Sequence, residues 1–471
     1  MEQVEWSDVQ GIVRRGFGWL PQSAFVLLSV VDPIKARRWL SRLPVTSGTD
    51  AIDRDAVPVA VNVAVTFAGL QALGVGGTSP DGFSREFCEG IAPPLHPGDQ
   101  VSRRSSMLGD VGPNDPHSWR WGGLATGTAP VHILLLVFSA SDPSSDVDRL
   151  TGPEDQTGVT RIERLLGWLP EDKTEHFGFR DGLSQPSITG EGAGSPMHLH
   201  QTATGEFLIG YRNERGNLPV SPRLPHDPEF GRNGTYLVLR ELEQNVAAFE
   251  SWLDNAATGH APRAGMAYRE WLAAKMIGRW RNGAPLTRYP DHDRVSDDFG
   301  PFDADDSTRS NDFFYHAEDR AGFRCPIGSH IRRAWARDAL GSDPERALLQ
   351  ARLHRLLRRG RLFGPAYDRD NRDAPVNAER RGLYFACLNA DIASQFESVQ
   401  HNWINNPKFS GLADERDPLI GERAGDSCMT VQQSPVNLRL RQLDQFVVTC
   451  GGGYFFLPGL RAIQRIAASN G

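Results

Sequence analysis

The sequence has few lysines and no concentrated block of positive charge. Only four of its 51 basic residues are lysines, and 58 acidic residues leave a formal net charge of −7. The arginines are interspersed with acids instead of clustering. Binding to nucleic acid or to an anionic membrane surface requires a basic patch. We therefore expect neither nucleic acid nor a membrane as a partner.

Cysteines are also scarce, and their number is odd. They form no CxxC pair and no zinc-type spacing, and a chain of 471 residues is long enough to build a core without disulfides. This pattern favours a reducing compartment. The cysteines are Cys88, Cys325, Cys387, Cys428 and Cys450.

Long hydrophobic runs are absent as well. The opening segment, MEQVEWSDVQGIVRRGFGWL, has no basic stretch followed by an apolar one, so it shows no secretory signal. The most apolar run, VHILLLVFSA at 131–140, is about half as long as a membrane-spanning helix and predicts a core strand. The sequence therefore predicts a cytoplasmic protein.

A strand followed by a helix recurs along the chain. In AFVLLSVV, at 24–31, the residues favour a strand, and Asp32 and Pro33 then provide the cap and the first position of a helix. Similar units begin at residues 61, 132, 235 and 382. No glycine-rich phosphate loop follows any of these strands. Two copies of a split β-α-β, ferredoxin-like unit account for the pattern, and the predicted fold class is α+β with antiparallel sheets.

Composition predicts two domains. The segment SITGEGAGSPMHLHQTATGE, at 187–206, is rich in Gly, Ser and Thr and lacks apolar periodicity, which is typical of a connector. We place an N-terminal domain at 1–195 and a C-terminal domain at 205–471. A second loop-rich segment, 288–330, ends in apolar CPIGSHIRRAW, and we interpret it as a functional loop wrapped over a site.

One acidic motif has two interpretations. In EHFGFRDGLSQP, at 175–186, Asp181 lies between Gly178 and Gly182. Asp-Gly is a turn signal, because Asp bonds nearby backbone and Gly accepts a positive φ. A carboxylate surrounded by aromatic residues also suits proton transfer. The motif alone does not decide between a turn and a catalytic acid.

Six segments occur in an order that is typical of one enzyme family. They are DVQGIVRRGFGWLPQSAFVLL (8–28), GFRDG (178–182), CPIGSHIRRAWARD (325–338), LLRRGRLFGP (356–365), RGLYFACLNADIASQFESVQHNWINN (381–406) and GGGYFFLPGL (451–460). Each segment is a modest signal, but their shared order is specific. The chain resembles the dye-decolorizing (DyP-type) heme peroxidases nearly end to end, and it is most similar to the longer bacterial and fungal members.

The resemblance implies a fold, a cofactor and a set of site residues. The fold is two ferredoxin-like domains of the dimeric α+β barrel type, with one heme b per chain held mainly by the C-terminal domain. His330 is implied to be the axial ligand of the heme iron. Asp181 and Arg358 are implied to be the catalytic residues on the open face, and Arg359 is the alternative register for the arginine.

These residue types suit the reduction of hydrogen peroxide. Cleavage of its O–O bond needs a proton to move from the inner oxygen to the outer one while negative charge develops. A carboxylate such as Asp181 is a base at neutral pH, and Arg358 adds fixed positive charge. The predicted activity is reduction of hydrogen peroxide with oxidation of bulky aromatic donors, including dyes. The protein is predicted to be a monomer or a homo-oligomer. The alternative is a heme carrier or sensor with incidental peroxidase activity. Such a protein does not need the pair of Asp181 and Arg358.

Further residues are implied to lie around the heme. Gly178 and Gly182 are interpreted as letting the backbone run close to the heme plane. Leu383 and Phe385 are implied to line the distal pocket, although a plain strand core explains them equally. Arg332 is predicted to face a heme propionate, with an exposed surface arginine as the alternative.

Four other side chains complete the set of candidates. Asp417 and Asp444 are both candidates for the acid that accepts the second N–H of the axial histidine. His198 and His200 form an HxH pair, which we interpret as solvated because no third metal ligand lies nearby.

Trp403 is a possible surface electron relay for donors too large to enter the pocket. An ordinary, half-buried tryptophan explains the residue equally.

Overall fold

The fold was obtained as a computed structural model, and the structure describes residues 3–95, 97–125, 127, 129–188, 201–263, 267–291, 310–423 and 426–469. Most strands belong to one antiparallel sheet. The strands are β1 (Gln22–Val30), β2 (Val59–Val65), β3 (Ile133–Ser139), β4 (Val159–Trp168), β5 (Ser187–Ile188), β6 (Gln201–Thr202), β7 (Thr235–Gln244), β8 (Leu357–Arg358), β9 (Arg361–Phe363), β10 (Gly382–Asn389), β11 (Cys428–Val431), β12 (Leu438–Arg441) and β13 (Val447–Leu457).

Helices cover the sheet and connect its strands. Two π-helical segments, Ala393–Glu397 and Val399–Ile404, follow β10. The α-helices are α1 (Gly11–Arg14), α2 (Pro33–Leu40), α3 (Phe67–Ala72), α4 (Arg85–Glu89), α5 (Arg103–Leu108), α6 (Ser144–Thr151), α7 (Glu154–Thr157), α8 (Val246–Ala257), α9 (Tyr268–Ile277), α10 (Tyr315–Glu318), α11 (His330–Ala334), α12 (Pro344–Arg352) and α13 (Leu460–Ala468).

Eight strands of the sheet close into a ring. The N-terminal half-sheet has the order β2-β3-β1-β4, and the C-terminal half-sheet has the order β9-β10-β7-β13. The halves meet where Val65 lies opposite Phe456 and where Trp168 lies opposite Leu362. Each half repeats the ferredoxin-like strand order, so the predicted fold of the dimeric α+β barrel type is confirmed.

The local signals in the sequence explain why these elements form. The Asp32 carboxylate accepts hydrogen bonds from the backbone N–H groups of Ile34 and Lys35, both at 3.0 Å, with Pro33 at the first position of α2. This N-cap confirms the predicted start of the helix. Every residue of β3 is buried, which confirms the predicted core strand.

The two half-sheets share their apolar cores. Successive residues of a strand face opposite sides of a sheet. On β1, Val26 therefore belongs to one buried cluster and Phe25 to the other. Each cluster also contains residues of the C-terminal half-sheet, such as Val238 in the first and Leu239 in the second. Because both clusters contain residues of both half-sheets, the two half-sheets are packed as one unit.

Other predictions about the chain meet the structure only in part. Residues 189–200 of the proposed connector (187–206) and residues 292–309 of the proposed functional loop (288–330) lie outside the described residues. The 195/205 domain boundary therefore stays a prediction. All five cysteines are free. Within the described ranges, no helix combines the length and the apolar character needed to cross a bilayer.

Glu206 provides a pH-dependent test of this packing. It is 5% exposed, and burial, followed by the charges of Glu214 and Asp391, raises its pKa to about 7. The folded chain therefore retains this proton up to about pH 7, whereas the unfolded chain releases it at a lower pH. Stability associated with Glu206 is thus lost as the pH rises through this window. We expect the free energy of unfolding of Glu206→Gln, relative to that of the parent protein, to increase between pH 4.5 and pH 8. The increase should be on the order of 1–3 kcal/mol. A difference that does not change with pH would contradict this.

Candidate active site

His330 begins α11 and follows a loop whose shape is set by Asp319. The carboxylate of Asp319 accepts hydrogen bonds from the backbone N–H groups of Arg324 at 3.0 Å and Cys325 at 2.7 Å. The imidazole lies deep in the protein, yet 27% of the side chain stays accessible. The loop therefore presents His330 to an open space and does not pack it into the core.

Asp417 orients this imidazole. His330 Nδ1 lies 2.9 Å from one carboxylate oxygen of Asp417, and the other oxygen accepts backbone N–H groups of Leu419 and Ile420 at 2.9 and 3.0 Å. Asp444, the other candidate, instead accepts a bond from Arg423 on its backbone carbonyl, at 3.3 Å. Since Nδ1 donates to Asp417, Nε2 is the nitrogen left for a ligand.

The two groups shift each other's pKa. Burial alone would lower the pKa of His330, but the Asp417 charge and hydrogen bond raise it above its ordinary value. Burial would raise the pKa of Asp417, but His330 and the two backbone N–H groups lower it. The carboxylate therefore stays ionised, and the shared proton stays on the imidazole.

Asp181 closes a tight turn that follows β4. Its backbone N–H donates to Lys173 O at 2.8 Å, and inside the turn the Glu175 N–H donates to Phe179 O at 2.9 Å. The Asp181 side chain is exposed. Gly182 has φ +78°, and a Cβ built there would meet nothing within 4 Å. The motif is thus a turn, and it leaves its carboxylate in open space.

Arg358 is held against this turn. Its Nη2 donates to Leu183 O at 2.7 Å. Its backbone N–H donates to Gln185 Oε1 at 3.2 Å, and Gln185 Nε2 donates to its backbone carbonyl at 3.3 Å. Arg359 points elsewhere, because its guanidinium donates to the carbonyls of Ile12 and Val13 at 2.7 and 2.8 Å. Of the two registers, Arg358 is the arginine that lies beside the Asp181 turn.

Arg358 also connects the turn with His330 and β10. Its charge lowers the pKa of His330, and its backbone pairs with Cys387 of β10. Leu383 and Phe385 lie four and two positions before Cys387, so all three share one face of the strand. Both Leu383 and Phe385 keep part of their surface accessible, whereas their neighbours on the strand are buried. The face that carries them is thus the one beside Arg358.

Three buried arginines lie around Arg358 and form with it the arginine cluster (Arg279, Arg337, Arg355 and Arg358). None of the four forms a salt bridge with an acid in the part of the chain that the structure describes. Burial, followed by repulsion from neighbouring arginines, lowers the pKa of Arg279 to about 9 and that of Arg355 well below its ordinary value. Burial likewise lowers the pKa of Arg337 to about 10.

This cluster and His330 together fit a heme. Within the described chain, Arg355 Nε is buried without a hydrogen-bond partner, and a buried unpaired donor is costly. An anionic group placed there would satisfy it and offset the positive charge. A heme offers two carboxylates for such cations and an iron for the free Nε2 of His330. We find no group of three or more His, Cys, Asp or Glu side chains suited to a bare metal ion among the described residues.

One predicted heme contact requires correction, and another is not tested. Arg332 is neither exposed nor available for a propionate, because it is buried and its guanidinium donates to the carbonyls of Asp319 and Cys325 at 3.0 and 2.8 Å. The role of Gly178 beside the heme stays a prediction: its φ is +88°, and a Cβ there would lie 2.5 Å from Arg281 Nη1 and 2.8 Å from Arg369 Nη2. Gly178 makes room for protein side chains on the side of the turn where these arginines lie.

Trp403 is not a surface residue. Its side chain is 6% exposed and packs in a cluster with Trp335, Val399 and Phe409. The ring lies edge-on to His354, with 5.1 Å between centroids. A dye cannot stack on an indole that is covered in this way. The prediction that Trp403 lies at the surface is therefore wrong. The pair His198 and His200 lies outside the described residues.

Sequence reasoning missed Glu175, Arg337 and Arg355. The last two stand near the proposed axial ligand and near Arg358 in sequence, but nothing in their spacing predicts that they meet in space. Glu175 opens the acidic motif, and its interval of six residues from Asp181 is the only local signal. Their roles become visible only from the contacts.

Two curated relatives match most of this chain. No family model matches the chain. A dye-decolorizing peroxidase of Mycena epipterygia is 30% identical over 462 residues, which cover 90% of this chain and 79% of that protein. A multifunctional dye peroxidase of an Amycolatopsis species is 30% identical over 374 residues, which cover 75% of this chain and 74% of that protein.

Solved structures extend the likeness to the whole fold. A dye-decolorizing peroxidase in complex with 2,6-dimethoxyphenol has a TM-score of 0.79 at 26% identity, and the match covers 99% of this chain and 100% of that one. The ring of two ferredoxin-like half-sheets is therefore shared along the full length. The chain belongs to the family of dye-decolorizing peroxidases and is an oxidoreductase of the peroxidase type.

Proposed function

We propose that the protein uses one heme b per chain to reduce hydrogen peroxide and to oxidise aromatic donors, one electron at a time. The observation that carries this proposal is the contact between Arg358 and the turn that bears Asp181, close enough to His330 for the charge of Arg358 to lower the pKa of that histidine. When bound, the heme supplies the iron that accepts peroxide and stores its oxidising equivalents.

The protein's own residues hold the cofactor and move the proton. His330 Nε2 would bind the iron, while Asp417 keeps the proton on Nδ1 and would make the imidazole a stronger donor. Arg355, whose Nε has no hydrogen-bond partner among the described residues, would provide positive charge for a heme carboxylate, whereas the guanidinium groups of Arg279 and Arg337 already donate to backbone carbonyls. Leu383 and Phe385 line the open face and restrict water there.

Asp181 and Arg358 act on the peroxide. Asp181 takes the proton from the inner oxygen and returns it to the outer one, so that water can leave. Arg358 stabilises the negative charge that develops during this transfer, at the time when it is largest. The guanidinium is pre-oriented by Leu183 O, so little reorganisation is needed in the reaction.

The reducing substrates are aromatic. The relatives are named for dye oxidation, and one solved neighbour is a complex with 2,6-dimethoxyphenol. We extend these two donor classes, dyes and phenols, to this chain. A heme carrier or sensor is the rival function, and the pairing of Arg358 with the Asp181 turn argues against it. Rapid mixing of the ferric protein with one equivalent of peroxide separates the two, since only a peroxidase reacts fast and is then reduced by a phenol.

His330→Ala is expected to bind heme at least tenfold more weakly while both half-sheets stay folded, because the axial nitrogen is lost but no core residue changes. The heme-to-protein ratio, the Soret band and the circular dichroism spectrum measure this. His316→Ala is the matched control and should load heme normally. Full occupancy with an unchanged Soret band in His330→Ala would place the ligand elsewhere.

Arg358→Leu should slow the reaction with peroxide by about 10²–10³, because it removes a charge directed at the transition state. Arg359→Leu should react at nearly the parent rate, since that side chain binds Ile12 and Val13. Asp181→Asn should also be slow. Stopped-flow absorbance gives these rates, and a slow Arg359→Leu beside a normal Arg358→Leu would reverse the assignment.

Asp417→Asn should keep its heme but raise the ferric/ferrous potential by roughly 60 mV or more, because the imidazole loses its anionic partner. A spectroscopic redox titration measures the shift. Asp444→Asn should leave the potential unchanged, since it is the Asp444 backbone carbonyl that makes the observed hydrogen bond. Equal potentials in all three proteins would rule out the Asp417 assignment.

A further inference from the structure

The acidic turn contains a second carboxylate, that of Glu175, on its inner side. One oxygen accepts the backbone N–H of Phe179 at 2.9 Å, and the other accepts the N–H of Phe177 at 2.9 Å and Nε2 of Gln244 at 2.8 Å. All three partners are donors, so both oxygens of the Glu175 side chain act as acceptors in these bonds.

These bonds close the loop that sets the position of Asp181. The Gly178 N–H donates to Glu175 O at 2.8 Å, and the Asp181 N–H, two residues after Phe179, donates to Lys173 O at 2.8 Å. Backbone hydrogen bonds thus close the turn, and the Glu175 side chain accepts the backbone N–H groups that point into it. Without this carboxylate, the N–H groups of Phe177 and Phe179 would have to find other acceptors.

The outer side of the turn is held by cations. Arg369 donates to His176 O at 2.5 Å, and Arg281 donates to Phe177 O. Both guanidinium groups are anchored at Glu250 of α8, at 3.1 and 3.5 Å. Phe177 also belongs to a buried cluster that contains Phe249 of α8 and Trp271 of α9. The arginines thus hold backbone carbonyls of the turn, and Glu175 holds the backbone N–H groups of Phe177 and Phe179.

Glu175 interacts electrostatically with both Asp181 and His330. Burial, opposed by the three hydrogen bonds and reinforced by the Asp181 charge, raises the pKa of Glu175. Glu175 in turn raises the pKa of His330. The carboxylate therefore lies within electrostatic range of the distal acid and of the histidine.

We propose that Glu175 is a positioning residue for Asp181, and that its carboxylate fixes the turn so that the Asp181 side chain is presented to peroxide. This inference rests on the proposed function. Proton transfer depends steeply on distance, and a misplacement of about 1 Å can cost on the order of 10²-fold in rate. Glu175 touches no reacting atom and acts only through the geometry of the turn.

Glu175→Gln tests the proposal with little change in size. The amide offers one acceptor oxygen and turns an NH2 group toward a backbone N–H, so one rung of the turn is lost. We expect the heme-loaded variant to keep its Soret band but to react with peroxide about tenfold or more slowly. Association of cyanide, which also gives up a proton on binding to ferric heme, should slow by a similar factor.

A double-mutant cycle separates positioning from a general structural effect. In an Asp181→Asn background, Glu175→Gln should cause no further loss, because the acid that it positions is already absent. The matched control is Glu206→Gln, another carboxylate that accepts a backbone N–H, at 3.0 Å from Glu214. It should leave both rates unchanged.

A measurement without heme keeps the test valid if the variant fails to load the cofactor. Hydrogen exchange of residues 173–183 should be faster in Glu175→Gln than in Glu206→Gln. Two results would overturn this inference and leave the proposed function intact. One is that Glu175→Gln has the parent's peroxide and cyanide rates and hydrogen exchange. The other is that Glu175→Gln slows peroxide reduction as much in the Asp181→Asn background as in the parent. A parent protein that takes up no heme or does not react with peroxide would overturn the proposed function, and this inference with it.

Discussion

The contact between β4 and β9 is the constraint on which the site depends. Trp168 lies opposite Leu362, its indole donates to Gly364 O at 2.8 Å, and His176 bonds Phe363 O at 2.9 Å. The chain that leaves β4 carries the Asp181 turn, and the chain that enters β9 carries Arg358. Closing the ring at this seam therefore brings the two together from positions 177 residues apart.

Buried guanidinium groups hold the loops around this seam. Arg333 donates to the carbonyls of Trp403 and Glu415, both at 2.6 Å, and so ties α11 to the segment that leads to Asp417. Arg358 and Arg281 bind carbonyls of the Asp181 turn in the same manner. A guanidinium can serve several acceptors at once through its fixed fork of donors, whereas an ammonium is a point charge. The excess of arginine over lysine in the chain thus has a structural use here.

Charge is distributed unevenly around the site. The His330 imidazole has an ionised Asp417 behind it, and the Asp181 turn contains Glu175, whereas the arginine cluster has no acid of its own among the described residues. Buried charge without a partner is unfavourable in a folded protein. A dianionic cofactor would balance the cationic side, so cofactor binding and the stability of this region should be coupled.

The sequence by itself determined the strand and helix order, the cap at Asp32, the core strand β3 and, through the order of its motifs, the family. These follow from local propensity and from spacing, which a linear pattern contains. Only the tertiary structure decided that Asp417 and not Asp444 meets His330, that Arg358 and not Arg359 meets the Asp181 turn, that Arg332 is used internally and that Trp403 is covered. Each of these depends on which distant carbonyl or carboxylate lies within hydrogen-bond reach, or on what packs over a ring. Such contacts arise only once the ring of strands has closed.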